Sequence, residues 1–184
     1  MQTEIFTAQM HRITFITGGA RSGKSTFAEK LALERSSRPL YVATARRWDA
    51  DFEKRIARHQ AIRAGKGWTT IEEEKRLSSL DLDGHTALID CVTLWLTNIF
   101  TDNHFDLDLS LKEATEEWDQ LIRKDCDLVV VSNEIGMGVH AVDESTRHFT
   151  DLQGFVNQHI ARTADEVFLL VSGIPVPIKT KAPA

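Results

Sequence analysis

Gly18-Gly-Ala-Arg-Ser-Gly-Lys-Ser-Thr26 decides how the rest of the chain is read. Before it stands Arg12-Ile-Thr-Phe-Ile-Thr17, a short run of β-branched and aromatic residues that reads as a buried strand. After it, from Ser25 onward, Phe27, Ala28, Leu31 and Ala32 recur at helical spacing. Glu29, Lys30 and Glu34 take the opposite face, and Ser36 and Pro39 close the helix. The turn between strand and helix satisfies Gly-x-x-x-x-Gly-Lys-Ser, with Gly18, Gly23, Lys24 and Ser25 at the fixed positions. Glycines let backbone N–H groups turn inward around phosphate oxygens, and the helix adds its positive dipole end. Lys24 is then expected to reach the β- and γ-phosphates and the Ser25 hydroxyl to ligate Mg²⁺. A glycine-rich turn without chemical consequence is the alternative, and both flanks argue against it. The candidate nucleotide segment is Gly18, Gly19, Ala20, Arg21, Ser22, Gly23, Lys24, Ser25 and Thr26. A nucleoside triphosphate is the expected ligand.

At 184 residues the chain is long enough to bury a proper core as one domain. A composition 42% hydrophobic and 27% charged is that of an ordinary soluble protein. No apolar run approaches the ~18–20 residues needed to span a bilayer. MQTEIFTAQMHR lacks the basic start and apolar stretch of a signal peptide. Cys91 and Cys126 lie beside predicted strands and make no metal spacing, so both read as reduced core residues of a cytoplasmic protein. A formal net charge of −5 argues against a dedicated nucleic-acid binder.

Working outward from the glycine-rich turn, strands are predicted at 39–44, 86–90, 127–132 and 166–171, with a short extended piece at 68–71. Helices are predicted at 51–64, 92–100, 109–124 and 144–164. There are no repeats, low-complexity tracts or linkers. Continuous apolar strands alternating with helices imply an α/β fold, a mostly parallel sheet covered on both faces. Ligands gather beyond the C-terminal ends of such strands, where Gly18, Thr44, Asp90 and Asn133 all fall.

Asp90 ends a hydrophobic strand, where P-loop proteins hold the carboxylate that binds Mg²⁺ directly or through water. The same residue reads equally as an N-cap for the helix beginning at Val92, and Glu134, after another strand, is a rival for the metal. Arg46, Arg47 and Arg63 are further candidates for phosphate contacts, although isolated arginines are more often solvated.

Further segments narrow the reading. Arg55-Ile-Ala-Arg-His59 with Arg63, Trp68-Thr-Thr-Ile-Glu-Glu73 and Leu88-Ile-Asp-Cys-Val-Thr-Leu-Trp-Leu-Thr-Asn98 occur in order. Val131-Ser-Asn-Glu-Ile-Gly-Met-Gly138 and Val171-Ser-Gly-Ile-Pro175 follow. Together with the glycine-rich turn, these segments resemble the bifunctional adenosylcobinamide kinase/adenosylcobinamide-phosphate guanylyltransferase family. The resemblance runs from Arg12 to Lys179, with Arg147, Phe149, Asp151, Gly154 and Asn157 in its late segment. Residues 1–11 lie outside it and are read as a flexible extension, leaving 12–184 as a single domain.

The resemblance implies a RecA-like P-loop fold, a homotrimer with sites near subunit boundaries, and a role in nucleotide-loop assembly of coenzyme B12. It implies phosphorylation of adenosylcobinamide by a nucleoside triphosphate, ATP or GTP. GMP then passes from GTP through a histidine to adenosylcobinamide phosphate, giving adenosylcobinamide-GDP and pyrophosphate. His59 matches the GMP-carrying histidine; on its residue type and helical context alone it would read as a surface histidine. Ala43, Thr44, Ala45, Gln60, Ala61, Ile62, Arg63, Glu72 and Asp90 fall where the family contacts GTP, with Glu73 and Glu74 one slip away from Glu72. The chain departs from the family at Ala64-Gly-Lys-Gly67, where relatives often have proline and a shorter connection, and at His140-Ala141, where Val-Pro is common. Two other readings fit the loop alone: a different small-molecule kinase in which His59 is silent, and a nucleotide-binding switch without a second substrate.

Overall fold

The computed structural model describes residues 11–46, 65–138 and 142–180. Seven strands form one sheet in the order β3-β2-β4-β5-β1-β6-β7. They are β1 (Ile13–Gly18), β2 (Leu40–Ala43), β3 (Thr69–Glu72), β4 (Thr86–Asp90), β5 (Asp127–Val131), β6 (Glu166–Val171) and β7 (Ile174–Lys179). Every neighbouring pair is parallel except β6 and β7, which form an antiparallel hairpin. Four helices accompany them among the described residues: α1 (Lys24–Arg35), α2 (Val92–Asp102), α3 (Leu107–Leu121) and α4 (Glu144–Thr163). The expected α/β sheet is present, and the extended piece at 68–71 is realised as edge strand β3 beside β2.

Two apolar layers flank the sheet. The larger joins Phe15, Ile89, Leu128, Val130 and Val167 to Trp95, Leu96, Ile99, Trp118, Leu121, Leu152, Val156 and Ile160 of α2, α3 and α4. The smaller joins Ile16, Tyr41, Leu88, Val129, Val131 and Leu170 to Ala28 and Ala32 of α1. α1 buries Ala28 and Ala32 fully against the sheet, and Phe27 and Leu31 pack at the margin of the same layer, with Phe27 edge-on to Phe168 at 5.4 Å. The first turn of α1 is thereby held over the ends of β1 and β4, next to the parallel core of the sheet.

Boundaries moved where caps decide them. α3 begins at Leu107 because Asp106 accepts from the Leu109 N–H as its N-cap, two residues ahead of the predicted start. It ends at Leu121 rather than 124. The strand β7 was not expected from the sequence. Pro175 and Pro177 argue against a strand interior, and here they sit on the sheet's last strand, where lost N–H donors are tolerated. The predicted helix at 51–64 lies outside the described residues.

Candidate active site

The loop between β1 and α1 is built by backbone conformations that glycine favours. Gly18 and Gly23 have φ 152° and 94°, and Arg21, an exposed residue, is held at φ 60°. A left-handed non-glycine residue costs on the order of 1–2 kcal/mol, so the surrounding bonds must fix the loop. They do so from β6 and the turn after it. The Gly173 N–H donates to the Ser22 carbonyl at 2.8 Å, and a Cβ on Gly23 would come within 3.1 Å of Gly173 Cα. At Gly18 a Cβ would stand 2.6 Å from the Leu170 carbonyl oxygen. On the outer side, a Cβ at Gly19 would meet nothing within 4 Å among the described residues.

Helix α1 begins at Lys24 behind Gly23, with no side-chain cap and no acidic residue in its first turn. Its first N–H groups are therefore left for an anion. Lys24 is only 7% exposed, and its Nζ donates to the Gly19 carbonyl at 2.7 Å across the loop. Burial pushes its pKa down, opposed by its neighbours Cys91 and Asp90. A buried ammonium with one neutral carbonyl partner gains most from a charged oxygen brought to it. Ser22 Oγ is buried and has no hydrogen-bond partner among the described residues, a second unmet polar atom within the loop. Ser25 is half-buried in the first turn, and Thr26 and Ala20 are exposed at the rim.

Asp90 ends β4 on the face that carries α1. Its Oδ2 accepts from the Tyr41 hydroxyl at 2.6 Å. The helix-cap reading of Asp90 is corrected: the N-cap of α2 is Cys91, and no side chain caps it. Cys91 is a buried free thiol whose pKa is pushed up to about 12, first by burial and then by the Asp90 charge, so it is inert as a nucleophile. With Ser25 and Asp90 the loop offers hard oxygen donors. Among the described residues no group of three His, Cys, Asp or Glu could hold a metal. A pair of hard oxygen donors suits Mg²⁺, which is held by one or two protein oxygens together with substrate phosphates.

Other candidates separate into those near the loop and those committed elsewhere. The Glu134 N–H donates to the Gly18 carbonyl at 3.0 Å, so Glu134 borders the loop, while its carboxylate accepts from the Gly136 N–H at 2.9 Å. Asn133 is tied to Thr93 Oγ1 through both its backbone N–H (3.1 Å) and Nδ2 (3.0 Å). Thr44 is fully buried and clips β2 to β4: its hydroxyl bonds the Cys91 carbonyl and the Cys91 N–H, both at 2.8 Å. Asn98 Nδ2 then bonds the Thr44 carbonyl at 2.8 Å. Thr44 thus shapes the β2 end through its side chain, while Ala43 and Ala45 on either side are half-buried. Arg46 pairs with Glu74 (2.6 Å) and Asp102 (2.8 Å), and Glu73 accepts from the Lys75 and Arg76 N–H groups. Both alternatives to Glu72 are therefore engaged locally, and Glu72 itself stands exposed at the end of β3. His59, Gln60, Ala61, Ile62, Arg63 and Arg47 lie outside the described residues, as does His140-Ala141. No local pattern marks the roles of Tyr41, Asn98 or Thr93, which rest on contacts 40 or more residues away in the chain.

Known proteins match this frame. Residues 14–178 fit the family described as cobinamide kinase / cobinamide phosphate guanyltransferase. The bifunctional adenosylcobalamin biosynthesis protein CobP of Pseudomonas aeruginosa is 38% identical over 169 residues, covering 89% of this chain and 95% of that protein. Its counterpart CobU of Escherichia coli is 38% identical over 179 residues, covering 89% and 98%. A solved structure from Pyrococcus horikoshii OT3 superposes with a TM-score of 0.52 at 10% identity, covering 98% of this chain and 93% of the other, a likeness of fold alone. On the breadth of the family match and the identity to both relatives, this chain belongs to the cobinamide kinase / cobinamide phosphate guanyltransferase family.

Proposed function

We propose that this protein phosphorylates adenosylcobinamide and then guanylylates the product, completing two steps of nucleotide-loop assembly in coenzyme B12. The observation that carries the reading is the match of residues 14–178 to a family defined by both activities. ATP or GTP feeds the first step and GTP the second. The unmet donors of the loop support the nucleotide part of the reading.

In the kinase step the loop amides and the Lys24 ammonium cradle the triphosphate and gain strength as charge develops on the transferred group. Ser25 and Asp90 would hold Mg²⁺, which supplies charge neutralisation between the phosphates. The cobinamide hydroxyl oxygen attacks the γ-phosphorus, the bond to the nucleoside diphosphate breaks, and the hydroxyl proton leaves to solvent. In the guanylyl step the neutral His59 imidazole attacks the α-phosphorus of GTP, forming a P–N bond as the bond to pyrophosphate breaks. The phosphate oxygen of adenosylcobinamide phosphate then attacks the same phosphorus. The P–N bond breaks, and His59 is restored. Splitting one transfer into two is what the histidine contributes.

A homotrimer with sites near subunit boundaries and a cytoplasmic location complete the proposal. Cys91 and Cys126, both free and buried, suit a reducing compartment. No helix among the described residues is long and apolar enough to cross a membrane.

The test is the covalent adduct. Incubation with GTP labelled at the α-phosphate should give a labelled, acid-labile protein. His59→Ala and His59→Asn should both lose the label while retaining phosphorylation of adenosylcobinamide. An adduct that persists in either variant assigns the carrier to another residue, and a wild type that never labels leaves a kinase without guanylyl transfer.

A further inference from the structure

Tyr41 lies one strand away from the carboxylate it touches. It is in register with Leu88, so its hydroxyl reaches two residues farther along β4 to meet Asp90 Oδ2 at 2.6 Å. The ring is only 4% exposed and meets Trp68, just before β3, edge-on, with centroids 5.8 Å apart and planes at 86°. A short O–H···O⁻ bond from a ring fixed on its other side holds a carboxylate in one rotation. With Oδ2 so engaged, Oδ1 takes no hydrogen bond among the described residues. That oxygen belongs to the carboxylate whose charge acts on Lys24. A tyrosine that merely needed a partner for a buried hydroxyl would be satisfied by a backbone carbonyl; this one spends its donor on the residue with metal chemistry.

We propose that Tyr41 is a positioning residue: its hydroxyl fixes the Asp90 carboxylate so that Oδ1 is presented to the Mg²⁺ that accompanies a bound triphosphate. The inference rests on the nucleotide reading above. Outer partners of metal ligands are worth 10–100-fold in metal affinity. Here a single hydroxyl is at stake, so the effect sits near the lower end.

The test uses Tyr41→Phe, which removes one oxygen and keeps the ring against Trp68. GTP binding is measured by calorimetry in EDTA and across a Mg²⁺ titration, with Mn²⁺ binding to the GTP complex followed by electron paramagnetic resonance. GTP affinity in EDTA should be unchanged, while the Mg²⁺ or Mn²⁺ concentration for half-saturation should rise about tenfold. In an Asp90→Asn background the same substitution should add nothing to the metal requirement. A variant that keeps the wild-type metal dependence overturns the proposal. So does an equal loss of GTP affinity with and without metal, or a full tenfold effect persisting without the Asp90 charge. Failure of the wild type to bind GTP at all overturns the nucleotide reading, and this inference with it.

Discussion

Replacing Lys24 by methionine separates what this residue does for the fold from what it does for a triphosphate. Methionine keeps an unbranched, buried side chain of similar length and removes only the ammonium. Among the described residues that ammonium makes one hydrogen bond, to the Gly19 carbonyl at 2.7 Å. Losing such a bond costs about 1–1.5 kcal/mol. Against this stands relief of the desolvation that already lowers the Lys24 pKa. The two are of opposite sign, so urea denaturation at neutral pH should show a change of about 1 kcal/mol or less. Turnover behaves differently, since a preorganised donor aimed at developing charge is worth ~10²–10³, or about 2.7–4 kcal/mol. Phosphorylation of adenosylcobinamide should fall by that factor. The pH dependence gives an independent check. Burial lowers the folded pKa from 10.5, so the unfolded chain keeps its proton over a range where the folded one has lost it. Wild-type stability should therefore receive a rising contribution as pH climbs through that window, absent from the methionine variant. Below the window both states are charged, and the burial cost is present in full. A catalytic role for the Lys24 charge is refuted if turnover stays within about tenfold of wild type. It is equally refuted if stability falls by more than about 3 kcal/mol, which would make Lys24 a structural residue.

Other outcomes follow from the same geometry. Asp90→Asn keeps the shape and an acceptor for Tyr41 but removes the charge; activity should fall and require more Mg²⁺, with thermal stability nearly unchanged, whereas a collapse of stability with normal Mg²⁺ dependence would pass the metal role to Glu134. Gly18→Ala forces a Cβ to 2.6 Å from the Leu170 carbonyl, a backbone contact that only separation of β1 from β6 relieves. Chemical denaturation should register a loss of about 3 kcal/mol or more, and a loss below about 1 kcal/mol would contradict the close approach. Asp102 is held at about 2, below its usual 3.8, by Arg46 first and then Lys75. Its stabilisation is present above the unfolded value and lost as pH falls toward 2, so Asp102→Asn should flatten the acid limb of the stability profile there, modestly because the group is about one-third exposed.

Much of this architecture could be read from residue order. The β1–loop–α1 unit announced itself because strand, glycine spacing and helix periodicity agree over one short stretch, and the apolar runs ending at Asp90 and Val131 are strong strand signals. β7 was invisible because Pro175 and Pro177 contradict a strand until its place at the sheet edge is known. Contacts between distant segments were equally hidden. Nothing in the local pattern tells that Arg46 spends its guanidinium on Glu74 and Asp102, or that Thr44 clips two strands together. Side-chain choice among equivalents also needed three dimensions: three consecutive glutamates at 72–74 look alike in sequence, and only in the fold does Glu73 turn to the Lys75 and Arg76 N–H groups while Glu74 pairs with Arg46.

The assignment turns on one chain carrying both a phosphoryl and a guanylyl transfer. It is tested most directly by incubating the wild-type protein with adenosylcobinamide, GTP and Mg²⁺ and resolving the corrinoid products by mass spectrometry over time. Adenosylcobinamide phosphate should appear first and then convert to adenosylcobinamide-GDP, with one pyrophosphate released per molecule converted. Accumulation of the phosphate with no GDP derivative and no pyrophosphate, or GTP hydrolysis that ignores the corrinoid, would contradict it.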